Sequence, residues 1–175
     1  MKEAPIEVVP YDAGWPAAFA AERALLEQAL RPWLAGAIEH IGSTAVPGLP
    51  AKPIIDIMAP VTSLADSRPA IAAAESVGYV HFPYQPERMH WFCKPSPAFR
   101  THHLHLVPFR SALWTQRIRF RDALRADSAL ATEYAALKLG LAQRFRHDRE
   151  AYTEAKTAFV ERVVSQVGAA SVPRD

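Results

Sequence analysis

The sequence predicts an α+β domain in which helices cover a small β-sheet. Short apolar runs typical of strands alternate with turn residues over the first two thirds of the chain, whereas helical spacing of apolar residues begins near Ser111 and continues towards the end. The 175 residues, of which 50% are apolar and 22% charged, suit one domain, residues 1–175, with a single sizeable core.

The elements follow from apolar spacing and from the residues that interrupt it. A helix is predicted over 17–31 and ends near Pro32. Two predicted strands, over 38–41 and 53–58, are joined by the turn 42–52. A helix follows over 68–77 and ends at Gly78. Three further strands are predicted over 79–82, 90–94 and 102–107. Three helices, over 112–126, 128–144 and 148–167, fill the C-terminal third, and residues 168–175 are expected to fray.

The charge balance disfavours a nucleic-acid partner. The formal net charge is +2, which is too small for extensive phosphate contact. The one local exception is the arginine-rich segment 110–125, for which a solvated helix face is an equally good interpretation. Within it Arg119 and Arg121 lie two residues apart and do not share one helical face, so we expect at most one of them to line a pocket.

Cysteine content and hydropathy predict a cytoplasmic protein without a membrane partner. Cys93 is the only cysteine, so no internal disulfide forms, and its place in an apolar strand predicts a buried, inert thiol. The N-terminus has no apolar signal core, and no apolar run approaches the length that spans a bilayer.

The turn after the first predicted strand combines several features of a phosphate site. Gly42 lets a ligand approach the backbone, while Ser43 and Thr44 supply hydroxyl and N–H donors. Lys52 adds a cation, and the next strand carries one carboxylate, Asp56, which could hold a metal ion. The segment therefore indicates a phosphate-containing small-molecule ligand, such as a nucleotide; the alternative is an ordinary strand connection.

A second candidate lies on the strand over 102–107. Because alternate residues of a strand share a face, His103 and His105 point one way, and Leu104 and Leu106 point towards the core. Two imidazoles at this spacing could share a divalent metal with Asp56, or they could be hydrogen-bond partners of neighbouring groups. His102, on the leucine face, is expected to be structural.

The predicted C-terminal helices repeat one pairing. A tyrosine precedes a lysine by four residues in Tyr134–Lys138 and again in Tyr152–Lys156, which places each pair on one helical face. Each pair could present a phenol and an ammonium to the same ligand. Ordinary amphipathic helices also carry such pairs, with the lysine stem lying over apolar surface.

Several of these motifs together resemble the GrpB family. They are the run from His40 to Leu49, the run from Lys52 to Ile57, the His103-Leu104-His105 strand, the Phe120-Arg121-Asp122 segment and the helix with Tyr152 and Lys156. They occur in the order of the family, and the resemblance extends from about Val8 to Val164.

The resemblance implies a nucleotidyltransferase-like fold, with a small mixed β-sheet covered by helices and a helical C-terminal third. In that superfamily, which includes the DNA polymerase β type, a Gly-Ser turn binds the triphosphate and paired acids bind two Mg²⁺ ions. Gly42 and Ser43 match the turn and Asp56 matches the first acid, but Met58 occupies the place of the second acid. The later strand that should carry the third acid is the one with His103 and His105.

The implied activity is metal-dependent nucleotidyl transfer to a small molecule, with a nucleoside triphosphate as substrate. The metal is Mg²⁺, Mn²⁺ or Zn²⁺; one carboxylate and two imidazoles suit Mn²⁺, Zn²⁺ or Fe²⁺ better than paired Mg²⁺. Lys138, Tyr152, Lys156 and one arginine from 117–121 would close over the ligand. Two alternatives remain open at this point: a nucleotide-binding module without catalysis, and a metal-dependent phosphoesterase.

Overall fold

A five-stranded mixed β-sheet organises the fold, in the order β1-β2-β5-β4-β3. The computed structural model describes residues 5–170, with side chains through residue 168. The strands are β1 (Glu39–Ile41), β2 (Ile55–Val61), β3 (Val80–Phe82), β4 (His90–Pro95) and β5 (Arg100–Pro108). The helices are α1 (Trp15–Leu30), α2 (Ala70–Ser76), α3 (Ala112–Ala126), α4 (Ser128–Arg144), α5 (Arg149–Glu154) and α6 (Thr157–Ala170).

The pairing of the strands makes the sheet mixed. The central strands β2 and β5 run parallel, and the other neighbours, β1–β2, β5–β4 and β4–β3, run antiparallel. The parallel pair is joined by a long crossover that contains α2, β3 and β4, as parallel connections require. The predicted α+β class with a small mixed sheet is confirmed.

Helices cover both faces of this sheet. Leu104 and Leu106 of β5 pack with α1 and α2 on one face, in the larger apolar core. The opposite face is partly covered by α3, whose Leu113 packs with Met58 of β2 and Cys93 of β4. Cys93 is fully buried, as predicted, and burial raises the pKa of its thiol. The part of the second face that α3 leaves open forms the floor of a cavity.

Side-chain caps explain why two of the C-terminal helices begin where the sequence predicts. The Ser111 hydroxyl accepts a hydrogen bond from the Trp114 N–H at the start of α3. The Asp127 carboxylate accepts bonds from two N–H groups at the start of α4. Because these caps are local, the boundaries of α3 and α4 agree with the predicted 112–126 and 128–144.

The strand predicted over 53–58 is shifted: β2 begins at Ile55 and continues through Pro60 to Val61. Proline usually ends a strand because it lacks an N–H donor. Here β1 pairs with β2 only as far as Met58, so Pro60 lies beyond the ladder on that side. Its carbonyl accepts a hydrogen bond from Ala35 instead.

The single helix predicted over 148–167 is wrong, since the chain forms α5 and α6 there. The Lys156 N–H donates to the Thr153 carbonyl, three residues back, so a tighter turn separates the two helices. Residues 168–170, part of the expected frayed tail, are helical, and 171–175 lie outside the described residues. Among residues 5–170, none of the helices is both long and apolar enough to cross a membrane.

Candidate functional site

Three polar side chains meet on the open floor of the sheet: Asp56 on β2 with His103 and His105 on β5. We call them the Asp-His-His cluster. The parallel register places Asp56 directly beside His103, and the His103 Nδ1 atom lies 2.9 Å from Asp56 Oδ1. The His105 Nε2 atom lies 3.7 Å from the same oxygen. The structure thus brings together the three residues for which the sequence predicts metal binding.

Gly42 allows this approach because it has no side chain. Its φ of 72° and ψ of −173° lie in a region of backbone space that only glycine adopts readily. A Cβ atom at this position would lie 2.5 Å from Asp56 Oδ2. The Gly42 backbone therefore packs directly against the Asp56 carboxylate. The sequence predicts a different role for Gly42, namely to let a phosphate approach the backbone.

Met58 occupies the place where the resemblance expects a second acid, and its environment in the structure is apolar. It shares the cavity-side face of β2 with Asp56, pairs with His105, and is fully buried among the apolar residues beneath α3. Its surroundings are apolar, so a carboxylate there would be buried without compensation. The cluster consequently has one acid.

The donor atoms of the Asp-His-His cluster fit one divalent cation. One ligand atom from each residue lies within 4.8 Å of the others. Among the described side chains, the Nε2 atoms of His103 and His105 are buried without a hydrogen-bond partner, and buried polar atoms of this kind generally have one. Two imidazoles and one carboxylate are ligands that Zn²⁺, Mn²⁺ and Fe²⁺ accept, whereas a Mg²⁺ pair needs more oxygen ligands.

The ionisation of the cluster also suits a cation. Burial alone would raise the pKa of Asp56, but its hydrogen bond to His103 and the nearby His105 ring hold it well below the ordinary value. Burial, with a contribution from Arg117, lowers the pKa of His105 to about 3. Near neutral pH the cluster therefore offers a carboxylate and, at His105, a neutral imidazole, and both are forms that bind metals.

The cluster opens into a cavity of about 750 Å³, a size typical of small-molecule sites. Six of the residues that line it are lysine or arginine, and three are aspartate or glutamate. Such a balance favours an anionic ligand. Part of the cavity wall is formed by α4, α5 and the turn before α6, the segments that carry the two predicted tyrosine–lysine pairs.

One end of the cavity, the lysine end, contains Lys52, Lys138 and Lys156 with Tyr134 and Tyr152. The ammonium groups of Lys52 and Lys156 lie 4.9 and 4.1 Å from the centre of the Tyr152 ring. Lys138 donates a hydrogen bond to the Pro50 carbonyl and lies 4.9 Å from the Tyr134 ring. Both predicted tyrosine–lysine pairs thus face one cavity, although Lys156 reaches Tyr152 from the turn after α5 rather than along one helix.

Burial changes the acid–base properties of the lysine end. It lowers the pKa of Lys138 and of Lys156 to about 7 in each case, and the nearby positive charge of Lys52 contributes to both. Burial raises the pKa of Tyr152 to about 12. The lysine end therefore holds cations whose charge an incoming anion would stabilise.

The turn residues divide into a structural and a cavity-facing part. The Thr44 hydroxyl is buried, donates to the Ile54 carbonyl and contacts His40 Nε2 at 3.0 Å, so it ties the turn to the start of β2. Ser43 lines the cavity and its side chain hydrogen-bonds Tyr134. Both residues line the cavity, but the Thr44 hydroxyl is used within the turn, so the hydroxyl of Ser43 is the better placed of the two to contact a ligand.

The arginine that faces the cavity is Arg117, and the expectation for Arg119 and Arg121 is corrected. Arg121 is buried against Glu39 of β1 at 2.6 Å, and Arg119 is exposed beside Gly168 of α6. Four residues advance a helix by about 6 Å, which carries Arg121 past the cavity. The Arg117 guanidinium lines the cavity, and its hydrogen bond goes to the Met89 sulfur, 3.8 Å away.

The opposite end of the cavity, the aromatic end, was missed by sequence reasoning. It consists of Phe82 on β3, Tyr84 after it, and Trp91 on β4, with Arg100 on β5. The Arg100 guanidinium lies 5.3 Å from the Trp91 ring centre. The short loop 95–99 predicts a hairpin that places β4 beside β5, and strand alternation identifies which residues share a face, but no local signal tells that β3 lies beside β4.

The chain belongs to the GrpB family, whose model, described as GrpB protein, matches residues 5–166. It is 44% identical over 172 residues to a UPF0157 protein of Pseudomonas aeruginosa, covering 95% of this chain and 69% of that protein. It is 33% identical to the glutamate-rich protein GrpB of Alkalihalophilus pseudofirmus, covering 91% and 94%. The crystal structure of conserved protein GrpB from Enterococcus faecalis is similar with a TM-score of 0.82 and 32% identity, covering 92% and 96%. The predicted family is thus confirmed.

Proposed function

We propose that this protein is a metal-dependent enzyme that transfers the nucleotidyl group of a nucleoside triphosphate to a small-molecule acceptor. The observation that carries the proposal is the position of the Asp-His-His cluster on the floor of a cavity whose lining has twice as many lysine and arginine residues as acidic ones. A cation site next to an anion site is the arrangement that phosphoryl chemistry uses.

In this reaction an oxygen of the acceptor forms a bond to the α-phosphorus. The bond between the α-phosphorus and the oxygen that bridges it to the β-phosphorus breaks, so pyrophosphate leaves, and the acceptor hydroxyl loses its proton. Asp56, His103 and His105 would hold the cation, which when bound supplies Lewis-acid polarisation of a phosphoryl oxygen. The lysine end would bind the negatively charged phosphates. Ser43 would donate a hydrogen bond to a phosphate oxygen.

Arg117 would stabilise charge that develops during transfer. Its guanidinium is directed into the cavity near His105, and it donates to a thioether, a weak acceptor. A half-buried guanidinium with donors to spare suits an oxyanion in a site from which water is partly excluded. This assigns to Arg117 the role for which the sequence predicts an arginine from 117–121.

The test is to incubate the protein with nucleoside triphosphates, a panel of hydroxyl and amine acceptors, and Mg²⁺, Mn²⁺ or Zn²⁺, and to measure pyrophosphate release and the mass of the product. Asp56→Asn should abolish turnover because it removes the one carboxylate of the cluster. Glu133→Gln, the same exchange at an exposed site, should leave the rate unchanged. Full activity of Asp56→Asn would show that the Asp-His-His cluster is not the catalytic site.

Met58 favours two other outcomes of the same experiment, since a site with one acid is a poorer cage for paired ions. If orthophosphate or a nucleoside monophosphate is released when no hydroxyl or amine acceptor is added, water is the acceptor and the protein is a phosphoesterase. Tight nucleotide binding without turnover under any of the three metals would make it a binding module.

A further inference from the structure

We infer that the cavity binds its ligand in one orientation, with an aromatic ring at the aromatic end and phosphate groups at the lysine end. The Asp-His-His cluster then lies between the two. The inference rests on the proposed function only in taking the ligand to carry phosphate. It adds a second recognition element, a planar ring.

The strand order separates the two ends. Crossing the sheet from β2 to β3, the residues that line the cavity are Asp56, then His103 and His105, then Trp91, then Phe82. Neighbouring strands are about 4.8 Å apart, so β2 and β3 are separated by three spacings, or about 14 Å. Lys138 donates a hydrogen bond to the Pro50 carbonyl, in the turn that precedes β2, and Lys156 lies near Lys52 and Lys138. The three lysines therefore lie apart from the Phe82, Tyr84 and Trp91 rings, although one cation, Arg100, lies at the aromatic end.

The aromatic end presents rings that remain open to a ligand. Trp91 is buried, and Phe82 and Tyr84 contact it with ring centres 6.1 and 6.0 Å away in edge-on geometry. Phe82 and Tyr84 themselves are 48% and 44% exposed. Single exposed aromatic residues are ordinary, but two rings supported by one buried tryptophan at a cavity wall form a surface for stacking.

The lysine end favours several negative charges rather than one. Lys52, Lys138 and Lys156 repel one another, and neither Lys138 nor Lys156 forms an ion pair with a carboxylate among the described residues. A polyanion placed here would relieve this repulsion. A ring at one end and a polyanion at the other define a nucleoside polyphosphate or a ligand of the same chemistry.

The experiment compares two probes by calorimetry: ATP, which carries both a ring and phosphates, and inorganic tripolyphosphate, which has no ring. Wild-type protein should bind ATP more tightly. Because stacking on one aromatic residue contributes a factor of about 5 to 100 in affinity, Phe82→Ala and Tyr84→Ala should each weaken ATP binding at least fivefold. Neither should change tripolyphosphate binding by more than twofold.

Two further variants complete the comparison. Phe99→Ala removes an aromatic side chain that is 62% exposed and outside the cavity lining, so it should leave both affinities unchanged. Lys156→Met should weaken both probes to a similar extent. Thermal unfolding of each variant would identify any that fails to fold.

The inference is overturned if ATP binds no better than tripolyphosphate, if neither probe binds, or if Phe82→Ala and Tyr84→Ala leave ATP affinity unchanged. These results are distinct from failure of the proposed enzyme activity. ATP binding with the expected pattern but no pyrophosphate release would support the orientation and refute the transferase. Pyrophosphate release together with unchanged ATP affinity in Phe82→Ala and Tyr84→Ala would support the transferase and refute the orientation.

Discussion

Replacing Gly42 by alanine tests whether the turn is built around the carboxylate of Asp56. The backbone at Gly42 has a φ of 72° and a ψ of −173°, a conformation that costs other residues about 1–3 kcal/mol. The new Cβ would also lie 2.5 Å from Asp56 Oδ2 and 3.1 Å from Asp56 Cβ. The carboxylate would have to turn away, which breaks its hydrogen bond to His103, a charged bond worth about 1.5–3 kcal/mol.

The two effects together should lower the free energy of unfolding by about 2.5–6 kcal/mol, a large part of the stability of an ordinary domain. Urea denaturation followed by circular dichroism measures this loss. Gly48→Ala is a matched control, because Gly48 also has a positive φ, 78°, but a Cβ there would meet no atom within 4 Å. It should cost only about 1–2 kcal/mol.

The same variants report on the cluster. Gly42→Ala should weaken the binding of Mn²⁺ or Zn²⁺ by at least tenfold, because it displaces the only carboxylate, and Gly48→Ala should not. Equal losses of stability in the two alanine variants would refute the close packing of Gly42 on Asp56. So would metal affinity of wild-type strength in Gly42→Ala.

Three other predictions follow from buried charges. Burial lowers the pKa of His40 to about 4 and of His105 to about 3 from an ordinary 6.5, so the unfolded chain binds more protons below pH 6.5. The free energy of unfolding should then fall by about 1.4 kcal/mol for each of these two histidines between pH 7.5 and 5.5, and His40→Gln should reduce the total loss by about 1.4 kcal/mol; a pH-independent stability would contradict this. Arg121→Met should lower the free energy of unfolding by about 2 kcal/mol without changing tripolyphosphate affinity, whereas Arg117→Met should mainly weaken that affinity; the opposite pattern in denaturation and calorimetry would mean that the wrong arginine faces the ligand. Lys138→Met replaces a buried ammonium, whose pKa is about 7, by an apolar side chain. It should therefore raise the free energy of unfolding at pH 6 by about 1–2 kcal/mol and weaken tripolyphosphate binding. A lower stability in urea denaturation would show that the hydrogen bond from Lys138 to the Pro50 carbonyl stabilises the fold by more than burial of the ammonium destabilises it.

Local patterns were enough to predict much of the framework. The caps at Ser111 and Asp127 mark the starts of α3 and α4, and each acts within a few residues of its own position. The alternation on β5 separates His103 and His105 from the two core leucines for the same reason. The break between α5 and α6 was not predicted, since the apolar spacing continues across it.

The composition of the cavity could not be derived in the same way. The sequence predicted an arginine within 117–121, but the choice of Arg117 depends on where α3 crosses the sheet relative to β1. Likewise Thr44 matched a donor by type, and its burial against Ile54 became evident only from the packing of the turn on β2. The aromatic end depends on β3 lying next to β4, at the edge of the sheet.

The sequence by itself determined the family, the α+β class, and the residue types that meet at the cluster, because these are expressed in motifs and periodicities a few residues long. Only the tertiary structure decided that Asp56 is level with His103, that Met58 is buried in the core, and that the lysine end and the aromatic end belong to one cavity. Strand register and strand order join residues that are distant along the chain, and their energies arise from contacts that no local window contains.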